Sequence, residues 1–282
     1  LAKVQGRSCI YLANHQVGIE SLLFGMLISA LSTTPTVTLA KAEHRTSWLG
    51  TFIDLYFSYP GVKEPEVMAL FDRDDQASLL SIVDGLGKAM ADGGKSLMVH
   101  VEGTRSLACR SPVTRMSSTF IDMAIAIGAP IIPVRLVGGL PVEPVEERLE
   151  FPVDYGRQDF WLGAPLMPEM LASLPLKERR DLVLAAMNTL GPDLSTETPQ
   201  SGDPQFAAAV DGWRSRTGVG LVDAVLFATL AGQRNPGPQA RAILDAAKTG
   251  KLVVTSDPRS QWLGRLARRL FGPHGPVVEG LF

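Results

Sequence analysis

Cysteine is almost missing from this 282-residue chain: Cys9 and Cys109 are the only two, and no paired spacing links them. That excludes a disulfide framework and a cysteine-based zinc site, and it points to a reducing compartment. Long apolar runs are missing as well. No stretch reaches the roughly 20 uninterrupted apolar residues of a membrane-spanning helix; the nearest, residues 19–31, is short and carries Glu20 at its start. A surplus of one charge is also absent. The formal net charge of −2 argues against a general nucleic-acid binder. No basic-then-apolar leader opens the sequence, so a cytoplasmic place, peripheral at the inner membrane surface if at a membrane at all, is expected. The chain starts at Leu1 without an initiator methionine, as a mature form, a trimmed chain or a piece of a longer polypeptide would.

What is present is ordinary globular material. Hydrophobic residues make up 45% and charged residues 20%, enough for a sizeable buried core and incompatible with wholesale disorder. The first two-thirds alternates short apolar runs with helical patterns, the signature of an α/β sheet protein. Strands are expected over 8–13, 36–40, 97–101 and 131–136. Helices are expected over 18–32, 76–92 and 119–127, the last stopped by Gly128. Residues 191–204 collect Pro, Gly, Ser and Thr and read as a linker. Helical patterns follow at 219–231, 238–248 and 259–271. The expected organisation is a domain over 1–192, a linker over 193–205 and a smaller helical extension over 206–282. In 259–271, Trp262, Leu263, Leu266 and Leu270 share one face opposite Gln261, Arg265 and Arg268. Such a helix either lies in an anionic membrane surface or packs its apolar face on the protein.

Three clusters carry chemistry. Asn14-His15-Gln16-Val17-Gly18-Ile19-Glu20 follows directly on a strand. An imidazole beside a carboxylate can draw a proton from a hydroxyl, the carboxylate fixing the tautomer and stabilising the cation. On one continuous helix, residues five apart differ by about 140° and face apart. The pairing therefore needs His15 in the turn and Glu20 in the first turn of the helix. The alternative is that His15 caps the helix and Glu20 complements its dipole. Glu102-Gly103-Thr104-Arg105-Ser106 closes a later strand with a glycine, two hydroxyls and a guanidinium fork suited to phosphate. Arg73, in Phe71-Asp72-Arg73-Asp74, supplies a second fork. Either these arginines hold an anion or they pair with neighbouring Asp72, Asp74 and Glu102 as exposed ion pairs. Of the other histidines, His44 and His274 read as solvated, and His100 as a satisfied strand histidine.

In their order these pieces resemble the glycerolipid acyltransferases, the family of 1-acylglycerol-3-phosphate and glycerol-3-phosphate acyltransferases. The family's Asn-His block with its carboxylate five residues on matches Asn14, His15 and Glu20. Its second block, ending in arginine, matches Arg73. The Glu-Gly-Thr-Arg-Ser block matches Glu102 to Ser106, and the apolar-Pro-Val block matches Pro130-Ile131-Ile132-Pro133-Val134. The likeness spans roughly residues 8–191. Three departures stand out: Glu20 for the usual Asp, His100-Val101 for Phe-Pro, and residues 115–119 where the family often has Phe-Lys-Lys-Gly.

The resemblance implies a mixed central β-sheet flanked by helices. It implies His15 as general base on an acceptor hydroxyl, with Glu20 orienting it. Arg73, Glu102, Gly103, Thr104 and Arg105 would bind the glycerol phosphate, with Pro133 shaping the site. The donor would be acyl-CoA or an acyl-carrier protein and the acceptor a lysophospholipid, with no metal, no other cofactor and no nucleic acid. A different reading is a non-catalytic acyl-binding or offloading domain of a lipid-making assembly. Since domains of this family occur fused to them, a polyunsaturated fatty acid synthase-like megasynthase is one such setting.

Overall fold

A computed structural model of the chain describes residues 5–64, 66–72, 75–92, 94–272 and 277–279, with only the backbone over 76–80 and 277–279. The elements run β1 (Ile10–Ala13), α1 (Glu20–Ser32), β2 (Thr36–Lys41), α2 (Trp48–Phe57), β3 (Met68–Phe71), α3 (Gln76–Ala91), β4 (Ser96–His100), α4 (Thr119–Ile127), β5 (Ile131–Val137) and β6 (Asp159–Leu162). They continue with α5 (Pro168–Ala172), α6 (Leu176–Asn188), α7 (Pro204–Thr217), α8 (Leu221–Ala231), α9 (Pro238–Thr249), β7 (Leu252–Val254), α10 (Pro258–Phe271) and β8 (Val277–Glu279). No helix of the described residues is long and apolar enough to cross a membrane.

The chain divides into two compact units, one of residues 1–45 and 66–202, the other of residues 46–65 and 203–282. The first is a six-stranded mixed sheet in the order β3-β2-β4-β1-β5-β6. All neighbours are parallel except β5 and β6. Strands buried on both faces read as continuous apolar runs rather than alternating ones. That is the pattern of β1 and β5, both buried throughout. One core cluster gathers Ile10, Leu12, Leu97, Val99, Ile121 and Ile131; another gathers Tyr11, Phe24, Ile28, Met98, Ile132 and Val134. Alternate residues of the same strands thus feed opposite faces.

Register then sets where chemistry can occur. Ala13, the last residue of β1, lies opposite His100 on β4 and Val134 on β5. The chain leaves β1 and β4 at the same edge of the sheet, the carboxyl edge where α/β sheets bind ligands.

Within β5 a charged residue breaks the apolar pattern. Arg135 is buried in β5, and an unpaired charge there would be very costly. Its guanidinium donates to the carbonyls of Leu190 and Pro192 at 2.6 and 2.8 Å. It also donates to Glu197 Oε2 at 2.7 Å. Glu197, within the Pro/Gly/Ser/Thr-rich stretch, is itself buried, and its carbonyl accepts from Arg110 Nε at 2.8 Å. That stretch is a strap held down on the sheet unit.

The second unit is helical, with its own aromatic core. Trp213 stacks on Phe227 at 3.5 Å between ring centroids. Trp262 donates to the Leu55 carbonyl at 2.6 Å and lies edge-on to Tyr56 and Tyr59. Trp262, Leu266 and Leu270 of α10 are buried, so the apolar face of this basic helix packs into protein of the same unit. Arg269 donates to Asp223.

Replacing Glu197 with alanine strands the buried Arg135 charge. A loss of about 3–5 kcal/mol is expected, read as a lower urea midpoint with an unchanged denaturant slope.

Candidate active site

The connection after β1 is built around Asn14, His15 and Gln16. Asn14 ties the end of β1 to β5: its Nδ2 donates to the Leu136 carbonyl at 2.9 Å, and its Oδ1 accepts from the Leu136 amide at 2.7 Å. The chain then turns into α1, whose first residue is Glu20. Glu20 is fully buried, and its side chain folds back over the connection. Oε1 accepts from His15 Nδ1 at 2.7 Å and from the Gln16 amide at 2.7 Å. Oε2 accepts from the Val17 amide at 3.1 Å and from Gln158 Nε2 at 2.6 Å. The longer reach of Glu against Asp suits this fold-back, in which the carboxylate collects two loop amides as well as the imidazole.

An ionised carboxylate only accepts, so Nδ1 of His15 carries the proton and Nε2 presents its lone pair. Among the described residues no hydrogen bond engages Nε2, and the His15 side chain keeps 16% of its surface exposed. Burial holds the His15 pKa well below the usual imidazole range, and the nearby Arg105, His44, Lys41 and Arg148 add to the effect. The ring is therefore neutral at physiological pH, the form that can take a proton. Burial pushes Glu20 in the opposite direction, and the hydrogen bonds it accepts oppose that shift.

A second imidazole lies against the first. The rings of His15 and His100 stack with centroids 3.6 Å apart and planes 12° from parallel. His100 Nδ1 donates to the Asn14 carbonyl at 2.6 Å, and Nε2 meets the Ser21 hydroxyl at 2.7 Å. Burial and the neighbouring His15 lower its pKa. His100 thus clamps the His15 ring from one side while Glu20 holds its edge.

The loop after β4 joins this group through backbone contacts. The Val101 amide donates to the Ala13 carbonyl at 3.0 Å, and the Ser106 amide to the His15 carbonyl at 2.8 Å. Glu102 Oε2 accepts from the His15 amide at 3.2 Å. Gly103 has φ 68°, a left-handed conformation that costs glycine little, and it lets the chain turn so that Thr104 and Arg105 follow at the same edge. Arg105 Nη1 donates to the Leu149 carbonyl at 2.7 Å and pairs with Glu150 Oε1 at 2.9 Å. The ion pair of Arg105 is thus with Glu150, not with Glu102.

His15, Glu20, Glu102, Gly103, Thr104 and Arg105 therefore gather at one edge of the sheet. Pro133 lies inside β5 opposite Leu12, within the sheet rather than at that edge. Arg73 lies outside the described residues. The sequence reading passed over Gln16, Gln158, Ser21, Arg135 and Glu197. Gln16 links the last two to the site: its Nε2 donates to Glu197 Oε1 at 2.8 Å, and its Oε1 accepts from the Gly139 amide at 2.9 Å. Arg135 alone had a sequence signal, a charge within an apolar strand that must find a buried partner.

His15, Glu20 and His100 each place a ligand-type atom within 4.8 Å of the others. Both His100 nitrogens and both Glu20 oxygens are already engaged. Only His15 Nε2 remains to face outward, which suits proton transfer rather than chelation.

Glu102 yields a pH prediction. Burial raises its pKa from 4.5 to about 7, with Glu20 adding to the rise and the His15 amide and Arg115 opposing it. The folded state thus holds this proton more tightly than the unfolded state. Its penalty grows as pH rises from 4.5 through 7 and is fully present above that. Glu102→Gln removes the penalty and keeps the acceptor oxygen. Urea titrations should find the variant more stable than the native chain by about 1–3 kcal/mol at pH 8, with the difference shrinking toward pH 4.5.

No curated protein matches the chain. The family model Acyltransferase matches residues 2–137, a stretch that holds the connection with His15 and Glu20 and the loop with Glu102 and Arg105. Over those residues, a little under half of the chain, the protein is similar to the acyltransferase family.

Proposed function

We propose that this acyltransferase moves a fatty acyl group from an acyl-CoA or acyl-carrier-protein thioester to the hydroxyl of a lysophosphatidic acid-type glycerolipid. The observation that carries the reading is His15 held through Nδ1 by buried Glu20 at 2.7 Å, with Nε2 left to face a substrate. The acceptor hydroxyl gives its proton to Nε2 as its oxygen attacks the thioester carbonyl. Glu20 stabilises the imidazolium so formed. Collapse of the tetrahedral intermediate breaks the carbon–sulfur bond, and the same proton passes from Nε2 to the departing thiolate. The acyl group goes directly from donor to acceptor.

Arg105, beside His15, serves the acceptor's phosphate, with Glu102 and Gly103 shaping the turn that carries it. Arg73 joins them by the family resemblance alone. Exposed Leu23, Met26, Leu27 and Leu31 of α1 favour a lipid substrate met at a membrane surface.

The test is mass spectrometry of products after incubation with lysophosphatidic acid and a mixture of acyl-CoAs and acyl-carrier proteins. The native chain should form phosphatidic acid, and folded His15→Ala should form none. Near-normal product from His15→Ala would overturn the assignment. Glu20→Gln places an amide NH2 against an N–H donor and loses the anion, so a fall in rate of about 10³–10⁴-fold is expected. Acyl donors that bind without turnover would favour a domain that holds acyl chains rather than transferring them.

A further inference from the structure

The guanidinium read above as the phosphate's partner already has an anion. Glu150 Oε1 stands 2.9 Å from Arg105 Nη1, and the residues around it are laid against the catalytic connection. The Gly18 amide donates to the Leu149 carbonyl at 3.0 Å, and the Ile19 amide to the Glu150 carbonyl at 3.0 Å. Arg148 Nε donates to the Arg105 carbonyl at 3.2 Å. Segment 148–150 thus bridges the His15–Glu20 connection and the Arg105 turn.

Gly18 marks how close that approach is. A Cβ at this position would sit 2.1 Å from Glu150 Oε2 and 3.0 Å from Arg105 Nη1. The carboxylate is therefore pressed against the Gly18 backbone, three residues along the chain from His15, in the angle between the two loops. The cations Arg105, Arg148 and Lys41 bear electrostatically on His15 beside it.

We propose that Glu150 is an internal anion that occupies the acceptor-phosphate subsite on Arg105 and sets how strongly the site takes dianionic acceptors. The proposal rests on Arg105 being that subsite. A carboxylate offers a guanidinium the same pair of oxygen acceptors as a phosphate. The pair is partly exposed, with 18% of the Arg105 side chain and 32% of the Glu150 side chain accessible. Pairs of this kind are weak enough for a phosphate to displace. Entry of a phosphate requires Glu150 to swing out, and the displaced carboxylate then repels it. Acceptors without a charged headgroup meet neither obstacle. Glu150 accordingly lowers affinity for phosphate-bearing acceptors and narrows the advantage they hold over neutral ones.

The test is calorimetric binding of glycerol 3-phosphate to the whole chain, native and Glu150→Gln, each also in an Arg105→Gln background. Glutamine keeps the size and removes the charge. Glu150→Gln should bind about three- to tenfold tighter than the native chain. In the Arg105→Gln background the same substitution should have no such effect, because the coupling belongs to the pair. Equal or weaker binding by folded Glu150→Gln would overturn the proposal, as would an absence of binding by both chains. So would the same gain without Arg105, which would indicate a general charge effect. The acceptor assignment is read separately, from phosphatidic acid in the mass-spectrometric assay. Tighter binding by Glu150→Gln with no turnover would uphold the internal anion and remove lysophosphatidic acid as acceptor.

Discussion

The site depends on satisfying one buried carboxylate. Glu20 is removed from water altogether, and its charge is tolerable only because four N–H groups converge on its two oxygens. Two of those donors are loop amides, one is the imidazole and one comes from Gln158. Each demand fixes something else. The amides set the turn, the imidazole sets the tautomer, and Gln158 brings the segment ahead of β6 to the same point. A carboxylate that accepted only from His15 would leave the path from β1 into α1 undefined and would not stay ionised in this surrounding.

His100 extends the constraint to the third dimension. A hydrogen bond fixes one edge of an imidazole but lets the ring tilt about it. The parallel face of His100 at 3.6 Å removes that freedom. Since His100 spends its own nitrogens on Asn14 and Ser21, it adds a flat, neutral surface rather than a second charge. A neutral ring face also tolerates the cation that appears on His15 when a proton is taken.

Much of this was legible from residue order. The strand preceding Asn14 and the helix after Gly18 follow from hydrophobic pattern, and the need for His15 to lie in the turn follows from helix geometry. The α4 boundary at Gly128 follows from glycine in the left-handed cap, φ 70°. What could not be read were partners far away in sequence. Arg105 had nearby acids to choose from, and it is Glu150, on a loop without a regular pattern, that reaches it. The Pro/Gly/Ser/Thr-rich stretch had the composition of a flexible connector, and nothing local reveals that Glu197 within it answers a charge on β5. Nothing in the hydrophobicity of α2 says which core it joins. Its aromatic partners Tyr59 and Trp262 lie in the helical unit, a pairing that spans most of the chain.

The strap has a consequence for where the sheet unit ends. The family match stops at residue 137, yet several groups that complete the site come from beyond it. Gln158 supplies a donor to Glu20, Glu150 an anion to Arg105, and Glu197 the counter-charge that lets Arg135 stay inside the sheet. Conserving the motif blocks is thus not the same as preserving the machine. A fragment trimmed to the matched stretch would keep His15 and Glu20 and discard Gln158, Glu150 and Glu197, whereas the compact unit that holds them runs on through the strap to residue 202.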